Sequence, residues 1–451
     1  MNLFKQHKEI IIPKNVFEIC HILENNGEET WVVGGCIRDT LLDITPNDWD
    51  ITTSATPEKV ISLFGSSFGN GINYGIPFIH YKGEEYEIAQ FRKDLNQDGR
   101  HCEVAVALSI DEDLIRRDFT INAIAYRPKT NEIAFPNTAL EDLENKVLRC
   151  VGNPYTRYNE DALRVLRLYR FASTLNFSIE EESRNAAKLI AKEDKLNILS
   201  GERIRKEMTK LLLGLNAKNI LMEMKMDEVL EKIFPELKTT FDFQQDNKHH
   251  NLTLFEHLVS TVSFVEDKME LRWAALFHDL GKPNVAFRNT KTNMLHYPNH
   301  ATISTDLAEP ILRRLAFSNE ERLHILNLIK YHDFMVETKA AIRKMCGRDG
   351  VDFAMEIVNM RTADILSQSL FKREEKLQNV SFMKETIEEI VANNQKFTLK
   401  DLKINGKDLI EIGVQPGPNM GKILELLLEE VLVNPNLNEH NTLLELSKKY
   451  L

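Results

Sequence analysis

An α+β head followed by an all-α neck, body and tail is the fold class that the sequence predicts, from two changes of pattern and a composition. Over the first ~140 residues, short apolar runs alternate with turn residues, which marks a small mixed sheet with helices. From Asn159 onward the apolar residues recur with a helical period and keep it. Of the 451 residues, 43% are hydrophobic and 28% charged, so the chain can bury cores and divide into two to four domains.

In chain order, a strand at 30–33 ends in Gly34-Gly35, and a helix opens over 36–42. A second strand is expected over 48–52, then a helix at 57–64 with Pro57 in its first turn. Strands at 78–82 and 86–91 form a hairpin across Gly83-Glu84-Glu85, followed by a polar loop at 95–101. The period then predicts helices over 161–175, 180–191, 201–213, 254–266, 271–278, 301–315, 319–331 and 423–433. Breaks are expected near Asn153-Pro154, in the polar run 242–250, and at 336–341. These divide the chain into a head (1–150), a helical neck (151–225), a body (226–340) and a helical tail (341–451).

Composition narrows the function classes. The five cysteines are scattered without a C-x-x-C pair, which fits free thiols in a reducing cytoplasm. The first residues carry no long apolar run, and no stretch approaches the ~20 apolar residues of a membrane span. The net charge of −11 argues against a chain that is basic throughout. Between 151 and 220, however, Arg157, Arg164, Arg167, Arg170, Arg203, Arg205, Lys206 and Lys210 make a local basic stripe able to hold a phosphate backbone.

The chemistry concentrates in a few motifs. Gly34-Gly35 lets backbone N–H groups approach an anion at a helix start. Asp48-Trp49-Asp50 places two carboxylates two apart; in a strand they share a face and can hold one or two Mg²⁺ ions against a polyphosphate. Arg116-Arg117-Asp118 with Asn122 can grip a triphosphate and a ribose hydroxyl. Asp161 and Arg164, three apart on an expected helix, point the same way. Cytosine and adenine both present an amino donor beside a ring-nitrogen acceptor, which a carboxylate and a guanidinium match.

In this order, Gly34-Gly35-x-x-Arg38-Asp39, Asp48-x-Asp50, Arg116-Arg117-Asp118-Phe119-Thr120-x-Asn122-Ala123, Glu160-Asp161-x-x-Arg164 and Glu202-Arg203-Ile204-Arg205 resemble the class II tRNA nucleotidyltransferases. These are the CCA-adding enzymes, related to bacterial poly(A) polymerases and to the superfamily of DNA polymerase beta. The closing segment from Ile404 to Pro418 resembles the tail of the bacterial forms. The resemblance implies a polymerase beta-like palm in the head, with Asp48 and Asp50 holding catalytic Mg²⁺. Gly34, Gly35, Arg38 and Asp39 then hold the triphosphate, and Arg117, Asp118 and Asn122 surround phosphates and ribose. Asp161 and Arg164 read the base, with Arg167 and Arg170 in the same nucleotide site. Glu87 is the candidate for a third carboxylate. The implied partners are CTP, ATP and the acceptor stem and 3′ end of tRNA, with no membrane. Adenosine-adding relatives and poly(A) polymerases share these motifs, but the loop at 92–100 is present, as in enzymes that complete the A. The family's Gly pair before the neck is missing from 137–143.

In the second half, His257, His278-Asp279, His300 and His332-Asp333 resemble the HD phosphohydrolase domain. Imidazole with carboxylate suits a divalent metal such as Mn²⁺, Ni²⁺ or Mg²⁺. The resemblance implies metal-dependent phosphatase or cyclic-phosphodiesterase chemistry there. His249-His250 reads as part of a polar linker, and the tail offers no residue for chemistry.

Overall fold

The computed structural model describes residues 10–65, 77–97, 102–136, 138–334 and 336–450. The chain forms two compact units, Met1–Ile233 and Phe234–Leu451.

The first unit opens on the helix Lys14–Asn25 and is built on a six-stranded sheet. Its strands are β1 (Thr30–Val33), β2 (Ile51–Thr53), β3 (Phe78–Tyr81) and β4 (Glu84–Gln90), with β7 (Ala125–Arg127) and β8 (Glu132–Ala134). A separate hairpin is made by β5 (Arg92–Gln97) and β6 (Cys102–Val106). The sheet order is β3-β4-β2-β1-β7-β8; β2 runs parallel to β4, and β1 is antiparallel to β2 and β7. Trp31, Val33, Phe91, Ile110, Leu114 and Ala125 form a shared apolar core under this sheet.

Several expected elements shift by a physical cause. The β3–β4 turn is Lys82-Gly83, at φ 52° and 90°, because a two-residue hairpin turn of this hand needs positive φ at both positions. The expected loop at 95–101 is mostly strand: β5 runs to Gln97 and β6 restarts at Cys102, while 98–101 lie outside the described residues. So do Asn137 and the first residues of the chain. β2 starts only at Ile51, so Asp48 and Asp50 sit in its extended lead-in, as suits a residue disfavoured in strands.

The neck helices are Pro154–Glu160, Leu163–Leu175, Glu181–Lys192 and Gly201–Leu212. Asn153 caps the first by accepting from Thr156 N, with Pro154 at its start. The helix expected over 161–175 begins at Leu163, two residues after Asp161. Asp161 is extended (φ −149°, ψ 106°), and its Oδ1 accepts from Leu163 N 3.0 Å away, so it opens the next helix instead of continuing the last.

Among its described residues the second unit is helical apart from the ribbon Phe287–Arg288 with Leu295–His296. Leu254–Phe264, Met269–Phe277, His300–Arg314, Asn319–Tyr331 and Val351–Ser367 pack about Phe234, Phe255, Trp273 and Phe277, all fully buried. Capping boxes at Thr253 with Glu256 and at Ser318 with Glu321 fix two of these starts.

Candidate functional site

A cavity of about 920 Å³ in the first unit is lined by Gly34, Gly35, Arg38, Asp39, Asp48, Asp50, Arg117, Asp118, Asn122, Asp161, Arg164, Arg167 and Arg170. Most residues singled out in the head and neck sequence therefore meet at one place, while Glu87, Arg157, Arg205 and Lys206 are not part of its lining.

β1 delivers the glycines. Gly34 has φ 86° and ψ −132°, a conformation that glycine reaches without strain. A Cβ there would stand 3.1 Å from Arg117 Nη1 and 3.8 Å from Asp50 Oδ2, so the bare backbone leaves room for both groups. Asp50 is held by its own carbonyl, which accepts from Val33 N at 3.0 Å and extends the β1–β2 ladder by one step. In the parallel β2–β4 pair Ile51 faces Ile88, which sets Glu87 beside Asp50. Burial, then the fields of Asp48 and Glu87, push the Asp50 carboxyl up to about 6, against a lowering by Arg117. Three carboxylates crowded this way call for a cation.

The basic wall is organised by carboxylates that face inward. Asp113, fully buried, accepts from Arg116 at 2.8 and 3.1 Å on one oxygen and from Arg117 at 3.1 and 3.3 Å on the other. Burial would raise Asp113, but the two guanidinium groups hold it below the usual carboxylate range. Replacing Asp113 by Ala is expected to lower the unfolding free energy by about 3 kcal/mol, since the arginines lose a buried partner. It should also weaken binding of a nucleoside triphosphate. Urea denaturation and nucleotide titration read the two effects, and a variant unchanged in both would refute this role.

Asp118 repeats the device. Its Oδ1 accepts from Phe119 N and Asn122 Nδ2, and its Oδ2 accepts from Arg167 at 2.6 Å. Asn122 in turn accepts from Arg38 Nη1 at 2.6 Å, and Arg38 Nε donates to Asp39 at 2.8 Å. Phe171 lies beneath the guanidinium groups of Arg38, Arg167 and Arg170, whose centres stand 5.2, 5.4 and 3.4 Å from its ring centre. The ring attracts these cations, which also pair with Asp39, Asp118 and Glu207, and so helps to fix their positions on the wall. The spacing of Phe171 four residues after Arg167 was a visible sign of this contact.

Asp161 and Arg164 both line the cavity but do not pair with each other. Asp161 Oδ2 takes Arg203 Nη2 at 2.6 Å. Arg164 is held by Glu160, by Arg157 O at 3.0 Å and by Arg116 O at 3.2 Å.

A second cluster lies in the second unit. His278 and His332 each follow the last residue of a helix, and His300 begins one. Their Nδ1 atoms face the carbonyls three residues back, Ala275, Ile329 and Tyr297, at 2.8, 2.7 and 2.9 Å. A carbonyl only accepts, so each Nδ1 carries a proton, which leaves Nε2 as the atom able to face a metal. All the Nε2 atoms, with that of His257, converge on Asp279, which is 1% exposed and has no partner in hydrogen-bonding geometry on either oxygen.

The set is closed by Asp364, which sequence reading missed: His257 Nε2 stands 3.1 Å from its Oδ1. The tail thus contributes a side chain to this cluster. Its signal was an acid in register with the buried face of Val351–Ser367, in line with Phe353, Ile357 and Arg361. Asp333 stands outside both donor groups, half-exposed and 3.8 Å from His300 Nε2. His249 and His250 are no plain linker, since both line the adjoining cavity and the His250 ring meets that of His257. Burial would lower His278, but Asp279 and Asp364 push it up to about 10.

The chain is similar to known proteins. Residues 30–149 match the model of the Poly A polymerase head domain, and residues 298–446 that of tRNA nucleotidyltransferase domain 2. The chain is 31% identical to the CCA-adding enzyme of Leuconostoc mesenteroides over 95% of its own length and 94% of that protein. It is also 31% identical to the CCA-adding enzyme of Ligilactobacillus salivarius, over 97% and 96%. The structure of Bacillus stearothermophilus CCA-adding enzyme in complex with CTP superposes with a TM-score of 0.72 at 25% identity, covering 97% of this chain and 98% of that one. Thermotoga maritima CCA-adding enzyme complexed with tRNA-CCA has the same fold, with a TM-score of 0.60 at 20% identity over 98% and 96%.

Proposed function

Because the chain belongs to the family of CCA-adding enzymes, we propose that it builds or repairs the 3′-terminal CCA of tRNA from CTP and ATP, releasing pyrophosphate. The observation that carries this reading is the head cavity, where the acids Asp48 and Asp50 face a wall of arginines.

The residues fit Mg²⁺. Hard carboxylate oxygens suit it, and Asp50 is partly buried among the fields of Asp48 and Glu87, where a cation would be favoured. Asp48, Asp50 and the neighbouring Glu87 would hold the ions, which supply activation of the attacking hydroxyl and neutralisation of the leaving phosphates. Arg38, Arg116 and Arg117 bind the triphosphate, oriented by Asn122 and Asp113. Asp118 anchors Asn122 and Arg167 beside the ribose. Asp161 accepts from the amino group of cytosine or adenine, and Arg164 donates to the ring nitrogen. The 3′ oxygen of the tRNA forms a bond to the α-phosphorus as the bond to the pyrophosphate oxygen breaks.

The head (1–150) carries the chemistry and the neck (151–225) the base reading and RNA contact; the later segments (226–340 and 341–451) supply the second centre and further grip on tRNA. No helix among the described residues is long and apolar enough to cross a membrane, and work on tRNA suits the cytoplasm.

The test is extension, at single-nucleotide resolution, of tRNA transcripts ending before CCA, after C and after CC. Complete CCA on the shortest transcript with both nucleotides is expected. Extension of only the CC-ended transcript would make the protein an A-adder, and long A tracts would make it a poly(A) polymerase.

A second reading concerns the second unit, where the imidazoles converging on Asp279 favour a divalent metal such as Mn²⁺, Ni²⁺ or Mg²⁺. With that metal, the unit is a phosphohydrolase of the HD type.

A further inference from the structure

We infer that Lys210 is the cation that binds the terminal phosphate of the incoming nucleoside triphosphate and keeps hold of it as pyrophosphate forms. The inference rests on the nucleotidyl-transfer reading of the head cavity and deepens it.

The charges along the cavity wall single out this lysine. Seven arginines line the cavity, and each already has an acid. Arg38 pairs with Asp39, Arg116 and Arg117 with Asp113, and Arg164 with Glu160. Arg167 pairs with Asp118, Arg170 with Glu207 and Arg203 with Asp161. Lys210 lines the same cavity, and among the described residues no carboxylate pairs with it. A paired guanidinium still donates to a phosphate, but its charge is already answered. An unpaired ammonium brings its whole charge to an incoming anion.

Packing places Lys210 at the phosphate end. The helices Leu163–Leu175 and Gly201–Leu212 lie side by side and run the same way. Asp161 meets Arg203 at 2.6 Å, Glu207 meets Arg170 at 2.9 Å, and Leu211 O accepts from Ser173 Oγ at 2.7 Å. Along the first helix the contacts with the head follow the order of the substrate. Arg164, on the base, touches Arg116 O; Arg167 takes Asp118 beside the ribose; Phe171 lies under Arg38 of the triphosphate grip. Thr174 comes next along this helix, about one 5.4 Å turn beyond Arg170 and Phe171. Lys210, beside Leu211, stands level with it on the second helix, roughly 10 Å past Arg203. The other lining residues at this end, Thr174, Leu175 and Leu213, are uncharged. A terminal phosphate has three equivalent oxygens, and an ammonium, a point charge on a long arm, can meet it from any side. When the α-phosphorus bonds to the 3′ oxygen, its bond to the bridging oxygen breaks. That electron pair stays with pyrophosphate, so Lys210 keeps its partner through the transfer.

The test is equilibrium titration of the full-length protein, with Mg²⁺ and no RNA, against CTP, CDP, CMP and inorganic pyrophosphate. The parent is expected to bind CTP more tightly than CDP. Lys210→Met should weaken CTP and pyrophosphate by about tenfold and leave CMP unchanged, so that CTP loses its advantage over CDP. Lys210→Arg should restore most of that advantage, because the charge returns. Equal weakening of all three nucleotides, or of none, would overturn the assignment. So would unchanged CTP binding together with weaker tRNA binding whose salt slope is smaller by about one, the mark of an RNA phosphate contact. A parent that shows the CTP preference and the Lys210→Met effect, yet adds nothing to tRNA, would overturn the transfer reading and leave the role of the lysine standing.

Discussion

Asp48→Ala and Asp50→Ala are each expected to reduce nucleotide addition by roughly 10³-fold or more. A metal-held phosphoryl transfer draws several kcal/mol of charge stabilisation from its ions, and about 4 kcal/mol is a factor of roughly 10³. The losses should be alike although the acids differ: Asp48 is exposed, while Asp50 is partly buried with its carboxyl raised to about 6. Neither carboxylate joins an ion pair among the described residues, so removing one should leave the fold standing. Single-turnover extension of a CC-ended tRNA with ATP measures the effect, and circular dichroism and melting check the fold. Addition within tenfold of the parent by either variant would remove that residue from the metal site.

The second large effect is on base choice. Asp161→Asn is expected to bring discrimination against UTP and GTP down from roughly 10⁴-fold towards roughly tenfold. The substitution is nearly isosteric, and an amide oxygen can still accept from Leu163 N, so the helix start survives. The change is in charge and donor pattern: the amide can donate to a carbonyl of uracil or guanine, where the carboxylate cannot. Arg203 loses its partner at the same time. Competition between CTP and UTP on a transcript lacking CCA reads the ratio. Unaltered selectivity would show that Asp161 serves only as a cap and ion-pair partner.

The residues differ in how much of this was legible. Gly34, Asp48, Asp50, Arg117 and Asn122 stand in short local motifs whose chemistry reads directly, and they line one cavity. Asp113 was within reach, because its spacing to Arg116 and Arg117 is that of helical neighbours. The separate helix Pro154–Glu160 ahead of Asp161 was not, because its polar residues carry no apolar period; Asp161 itself stands at the expected start of the next helix. Asp364 was hidden for another reason. It comes from a helix far along the chain whose residues around it carry no motif, and only tertiary packing brings it to His257. The histidine pattern pointed to one cluster, whereas the division into two donor groups exists only in three dimensions.

The contact from Arg164 to the carbonyl of Arg116, at 3.2 Å, has a kinetic meaning. The side chain assigned to the base holds the backbone of the segment that presents Arg116 and Arg117 to the phosphates. Arg167 makes a similar link to Asp118 one step further on. A base that seats badly and displaces Arg164 therefore pulls on the phosphate grip as well. With Arg164 reading the base, an incorrect nucleotide is expected to be slowed in turnover more than it is excluded from binding.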